Sequence, residues 1–154
     1  MRITISGTRS TGHRTEADYH GLFKRYLAPF ATPDAEFFIG GAAGIDTLAL
    51  LWLNTHSESR LTVAVPCTVG QQPPEAQAAI DAVRHAGRLA RLVELRQAET
   101  PSAEAYHARN RWMVDRSDFV AAFPLGDNGN GGSGTWQTVN YASDRGLPRL
   151  IVPV

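Results

Sequence analysis

The sequence predicts a three-layer α/β fold, a doubly wound and mostly parallel sheet covered by helices on both faces. Short apolar, β-branched runs alternate along the chain with longer segments of helical spacing, in the order β-α-β-α-β-α-β-α-β-α-β. Alternation of this kind puts neighbouring strands parallel and sends each connection over a sheet face. Glycine-rich turns directly follow two of the apolar runs, where such a fold places its ligand-facing strand-to-helix turns. The chain has 154 residues, 43% hydrophobic and 19% charged, which suits one domain over 1–154 with a substantial core.

The elements follow in order. Arg2 to Ser6 is a short β-branched strand. Thr15-Glu16-Ala17-Asp18 has the form of a capping box, with Leu22, Tyr26 and Leu27 at helical spacing behind it and Pro29 and Pro33 closing the helix. Glu36 to Ile39 is the next strand. Asp46 to His56 is a helix apolar on most sides (Leu48, Ala49, Leu51, Trp52, Leu53), hence expected to be well buried. Leu61 to Val65 is a strand ended by Pro66. Pro73 and Pro74 suit a helix start, Glu75 to His85 continues it, and Gly87 stops it. Leu89 to Leu95 reads as a strand among Arg88, Arg91 and Arg96. Pro101 opens a helix through Arg116, Phe119 to Phe123 is a strand, Ser133 to Asp144 a helix and Arg149 to Val152 the last strand. Pro124 to Gly132 has linker-like composition, but too little chain follows it to make a domain boundary.

Lys plus Arg and Asp plus Glu each number 15, so the net charge is zero with neutral histidine. A neutral chain lacks the overall electrostatic footprint of a nucleic-acid binder, though not a local basic patch. The single cysteine, Cys67, allows no internal disulfide and fits a reducing compartment. No stretch approaches about 18 uncharged apolar residues, so no transmembrane helix is expected. The opening strand pattern is unlike a signal peptide, and a cytoplasmic location is expected. The histidines lack metal-ligand spacing, so neither a metal nor a cofactor is expected.

The candidate site is assembled from strand ends. In Gly129-Asn130-Gly131-Gly132-Ser133-Gly134-Thr135 the glycines free backbone N–H groups at the positive end of a helix, and Ser133 and Thr135 add hydroxyls. The segment lacks the Gly-Lys-Ser/Thr ending of a P-loop and misses a nucleophile elbow by one position. Gly40-Gly41-Ala42-Ala43-Gly44-Ile45-Asp46 is a second such turn; the Asp46 carboxylate either binds a ribose hydroxyl or caps the helix. A third loop, Gly7-Thr8-Arg9, offers a tight turn, a hydroxyl and a charge for an anion. Arg109 shares a helix face with Met113, while Arg111 points elsewhere. Facing the site, Arg109 would supply a fixed, forked charge; facing solvent, it would do nothing. Trp136 either stacks on a base or packs in the core, and Trp52 and Trp112 are expected in the core.

With these residues in place a resemblance emerges. Arg109-Asn110-Arg111-Trp112-Met113-Val114-Asp115-Arg116-Ser117-Asp118, followed by Gly131-Gly132-Ser133-Gly134-Thr135, resembles the Rossmann-like superfamily (SLOG) joining the DprA/Smf DNA-processing proteins to the Lonely guy (LOG) phosphoribohydrolases. The LOG pattern runs Arg-Lys, Met, Ser-Asp, then Pro-Gly-Gly-x-Gly-Thr-x-x-Glu. Arg109, Met113, Ser117, Asp118, Gly131, Gly132, Gly134 and Thr135 fall in register with it. Gly40 to Ala49 is similar to the Gly-Ile-Asp-x-x-Ala segment of DprA, and Gly7-Thr8-Arg9 to the Gly-Ser-Arg start of several members. The resemblance implies a phosphate-binding Rossmann-like domain and a homo-oligomer.

It departs where LOG chemistry is done. The position of the LOG glutamate holds Thr138, beside Gln137, and Asn130 stands where the pattern has proline. A neutral hydroxyl cannot stabilise an oxocarbenium-like charge or serve as the base. The expectation is a sensor or binding module for a nucleotide or nucleotide-derived ligand, held by Gly7, Thr8, Arg9, Gly40, Gly41, Ala42, Gly44, Asp46, Arg109 and Gly131 to Thr135. The alternatives are a LOG-like hydrolase of the N-glycosidic bond of a nucleoside monophosphate, with Asp46 or Asp118 replacing the glutamate, and a DprA-like protein binding single-stranded DNA.

Overall fold

The computed structural model describes residues 1–126 and 133–154. Six strands alternate with five helices: β1 (Arg2–Gly7), α1 (Glu16–Tyr26), β2 (Glu36–Gly40), α2 (Ile45–His56), β3 (Arg60–Val65), α3 (Pro74–His85), β4 (Leu89–Glu94), α4 (Ala103–Val114), β5 (Phe119–Phe123), α5 (Gly134–Asp144) and β6 (Arg149–Ile151). The sheet order is β4-β3-β2-β1-β5-β6, and every strand pair is parallel. The chain winds outward from β1 to β4, crosses back, and winds the other way through β5 and β6. The order therefore reverses at the seam between β1 and β5, the switch point of a doubly wound sheet.

The two faces differ in chemistry. Strand side chains alternate between them. Ile3, Ile5, Phe37, Ile39, Leu61, Val63, Val65, Ala121 and Phe123 join Tyr19 and Phe23 of α1, Leu27 just after it, Leu50 and Leu53 of α2, and Ile80 and Val83 of α3 in one large apolar cluster. The opposite face carries α4 and α5 over smaller clusters, Val120 and Ala122 with Val114 and Val139, and Phe38 and Ala64 with Met113. Polar groups are buried there too: the hydroxyls of Thr4 and Ser117 lie 2.7 Å apart, and Thr62 donates to Glu36 at 2.8 Å. The more polar layer supplies Arg109 and the start of α5 to the site, while Asp46 comes from α2 on the other face.

Most of the elements match the sequence expectation within a residue or two, and the departures have local causes. The capping box at Thr15 is formed in both directions with Asp18. α4 starts after Ser102, whose hydroxyl accepts from the Ala105 N–H at 3.1 Å; Pro101 stands outside the helix because serine at the cap satisfies a donor that proline cannot. α2 is less enclosed than its composition implies: Leu50, Trp52 and Leu53 are buried, but Leu51 is 36% exposed. Gly21 lies mid-α1 with open space where a Cβ would project. Gly21→Ala is therefore expected to stabilise the protein by about 0.5–1 kcal/mol, read as a raised urea midpoint with unchanged slope.

Candidate functional site

A cleft of about 870 Å³ opens at the C-terminal edge of the sheet, over the β1–β5 switch point. Its walls are the loop after β1, the first turn of α2, the inner face of α4 and the start of α5. Hydrogen bonds fix the first wall: Thr8 N–H donates to the Phe123 carbonyl and the Thr8 carbonyl accepts from Ile45 N–H, both at 3.0 Å. The loop is thus tied to β5 on one side and to the start of α2 on the other.

The floor of the cleft is charged. Arg109 is 3% exposed and Asp46 6%, yet both line the cleft. The Arg109 Nε donates to Asn110 Oδ1 at 2.8 Å and Nη1 to the Ala64 carbonyl at 3.2 Å. Those two bonds fix the guanidinium plane and leave further N–H groups for a ligand. Burial pushes the Asp46 carboxyl up to about 7, against the opposing pull of Arg109, the Ala42 main chain and Arg9. Burial also pushes the Arg109 guanidinium below its ordinary value, and Asp46 works against that shift. Buried ionisable groups facing a cleft are the usual mark of a functional site.

Aromatic and helical walls complete the arrangement. The Arg9 guanidinium lies 4.3 Å from the centre of the Tyr106 ring, and that of Arg109 5.5 Å from the same ring. At the start of α5, Ser133 Oγ accepts from Trp136 N–H at 3.2 Å. Its hydroxyl is therefore spent as a cap in its acceptor role, while the N–H groups of Gly134 and Thr135 have no partner within the helix. This helix end, Arg9 and Arg109 all act on a negative group in the same way.

The structure brings Gly7, Thr8, Arg9, Ala42, Asp46, Arg109, Ser133, Gly134 and Thr135 to the cleft wall. Gly131 and Gly132 lie outside the described residues. Gly40, at the end of β2, and Gly41 and Gly44 after it are not among the residues that line the cleft. A Cβ on Gly40 would collide with the Arg109 guanidinium and stand 2.7 Å from Asp46 Oδ2; one on Gly41 would stand 2.6 Å from Val65 Cγ1. Gly44 adopts φ +75° where the Thr8–Arg9 backbone crosses it. These glycines leave room for the Arg109 and Asp46 side chains, for Val65 and for the Thr8–Arg9 backbone. Asp46 stands in the first turn of α2 and makes no side-chain cap there.

Two further expectations are settled by position. Asp118 sits at the opposite end of the sheet, where Arg2 donates to it from its main chain and its guanidinium at 2.8 Å each; those bonds hold its carboxyl below the usual range. It cannot substitute for a missing acid in the cleft. Thr138 is buried, and its hydroxyl donates to the Gly134 carbonyl at 2.8 Å. It lies off the main cleft, in a smaller pocket of about 260 Å³ between α4 and α5 that Arg111 also lines. Trp52 packs in the core, Trp112 is half-buried against Phe38, and Trp136 reaches the cleft.

Sequence reasoning missed Tyr106 and His107, and named Asn110 only as part of a motif, though all three line the cleft. Tyr106 lies three residues before Arg109 on α4, so one turn of helical projection from Arg109 would have found it.

Neither a family profile nor a curated protein sequence matches the chain. Among the described residues no helix is long and apolar enough to cross a membrane. Among solved structures, the chain is similar to DNA processing protein A of Helicobacter pylori, described for its single-stranded DNA binding mode, at 24% identity and a TM-score of 0.71. The match covers 100% of this chain and 66% of that one, so the chain spans just under two thirds of its length. The likeness establishes a Rossmann-like fold of the DNA processing protein A type.

Proposed function

We propose that the cleft binds a nucleotide or nucleotide-derived ligand by its phosphate, as a sensor or binding module. The observation that carries this reading is the Arg109 guanidinium, buried and fixed at the cleft floor with N–H groups to spare. A buried arginine whose plane is preset is matched to a phosphate and poorly matched to water. The α5 N-terminus gives that phosphate a second donor set. Tyr106 and Trp136 offer aromatic surface for a base.

Single-stranded DNA is the second reading. Arg9 laid on Tyr106 at an open rim pairs backbone charge with a stacking surface, the combination that single-strand binders use. DNA processing protein A, whose fold the chain shares, is described as binding single-stranded DNA. LOG-like hydrolysis finds less support, because the hydroxyl of Thr138 is committed to its own helix.

Thermal unfolding against AMP, GMP, CMP, UMP, ADP-ribose, NAD, cyclic nucleotides and short single-stranded DNA tests these readings. A ligand present at about 100 times its Kd adds about 2.7 kcal/mol to native stability and raises Tm. Arg9 is exposed, so Arg9→Ala is expected to leave the free protein's Tm unchanged and weaken the responding ligand by about tenfold or more. A DNA response with steep salt dependence would favour the second reading, and release of free base from a responding nucleotide would make the site hydrolytic. No response to any of them would overturn the phosphate-binding proposal.

A further inference from the structure

The inference rests on the anion-binding reading above and concerns how the cleft accommodates charge. The walls attract a negative ligand through Arg9, Arg109 and the start of α5. Among the described residues lining the cleft, Asp46 is the only carboxylate. It stands at the floor near Arg109, and a Cβ on Gly40 would meet both its Oδ2 and the guanidinium. An anion that reaches Arg109 must therefore also approach Asp46. Two negative charges at such range in a poorly hydrated cavity repel strongly, and one is lost if the carboxylate takes up a proton.

We propose that capture of an anion in this cleft is coupled to uptake of one proton by Asp46, so that the ligand is held by Arg109 on one side and by a neutral carboxylic acid on the other. The proton comes from solvent to a carboxylate oxygen, and no covalent bond is made or broken. The neutral acid then donates its O–H to the ligand, turning the one repulsive group on the floor into a donor. Burial has already moved Asp46 far towards that state, since its carboxyl stands at about 7 in the free protein. The other charged and titratable groups around it are Arg109 and Tyr106 on α4, His107 next to them at the cleft wall, and Arg9 from the loop after β1. The described start of α5 contributes no titratable side chain.

Linkage gives the sign. A bound anion raises the Asp46 pKa further, so affinity is highest below about 7 and falls as pH rises through the free protein's value. Sulfate is the probe, because its own charge does not change over this range. Calorimetric titration of the full chain with sulfate between about pH 5.5 and about pH 8.5 should show Kd weakening above 7 by up to about tenfold per pH unit, with about one proton taken up. Asp46→Asn, a permanent mimic of the neutral acid, is expected to bind sulfate at pH 8 about as the wild type does at pH 6, with a flat profile. In the wild type, the 13C resonance of the Asp46 carboxyl should titrate near 7 and move upward when sulfate is added.

Sulfate binding that is independent of pH would overturn the coupling and leave the anion site standing. A slope that survives Asp46→Asn would assign it to another group, and also overturn the coupling. An Asp46 resonance titrating in the ordinary carboxylate range would do so with no variant needed. Failure of sulfate to bind at any pH would overturn the coupling and the anion site together.

Discussion

Gly44→Ala is expected to destabilise the protein by about 2–6 kcal/mol, enough to unfold much of it if the parent has ordinary stability. Two costs combine. Gly44 sits at φ +75° and ψ −125°, a region open to glycine and strained by about 1–3 kcal/mol for a residue with a Cβ. The added Cβ would also stand 2.5 Å from the Thr8 carbonyl oxygen and 2.6 Å from the Arg9 Cα. Both are main-chain atoms of a loop held by Thr8, whose N–H donates to the Phe123 carbonyl and whose carbonyl accepts from Ile45 N–H. They cannot swing away as a side-chain tip would, and overpacking of this kind costs about 1–3 kcal/mol more. Urea unfolding followed by circular dichroism reads the effect. An unchanged midpoint would mean that the β1 loop does not press on the start of α2. Gly21→Ala, the same chemical change in open space, should move the midpoint the other way.

The contrast between these glycines shows what the sequence could and could not reveal. Composition and order made the strand-to-helix turn at Gly40 to Asp46 visible, as they did the parallel sheet. They could not show on which side of that turn the cleft would open. Gly40, Gly41 and Gly44 suggest an anion cradle when only their spacing is known. In the fold, their bare Cα atoms face Arg109, Val65 and the Thr8–Arg9 backbone, all distant in sequence. The same limit explains Asp118, which the sequence could not place at the far end of the sheet from Asp46. It also explains the contact between Arg9 and Tyr106, residues far apart in sequence, which projection along one helix cannot show. Arg109 was legible because one helical turn relates it to Met113, and a buried neighbour on that face forces the choice between site and solvent.

Arg109→Ala is expected to lower stability by about 1.5–3 kcal/mol at pH 8, through the lost hydrogen bonds of a buried cation to Asn110 and the Ala64 carbonyl, with a smaller loss at pH 5. The dependence on pH follows from Asp46. Its folded value of about 7 lies above the roughly 3.9 of an unfolded aspartate, a difference worth about 4 kcal/mol. Below about 4 both states are protonated and the group contributes nothing to stability. Between about 4 and 7 the native state binds more protons, so stability falls as pH rises, and above 7 the full penalty of a buried carboxylate remains. Arg109 is the largest influence pulling that carboxyl down. Removing it moves the folded value still higher and extends the fall into the range above 7, while at pH 5 the neutral acid scarcely notices the loss. Asp46→Asn removes the titration altogether, so it should be more stable than wild type at pH 8 and flat between the two pH values. Urea midpoints at pH 5 and pH 8 for wild type, both single variants and the double variant complete the cycle. The double variant should fall short of the Arg109→Ala loss at pH 8, because no carboxylate is left unpaired. Equal losses for Arg109→Ala at both pH values would show that the two groups do not share the cleft floor as a coupled pair.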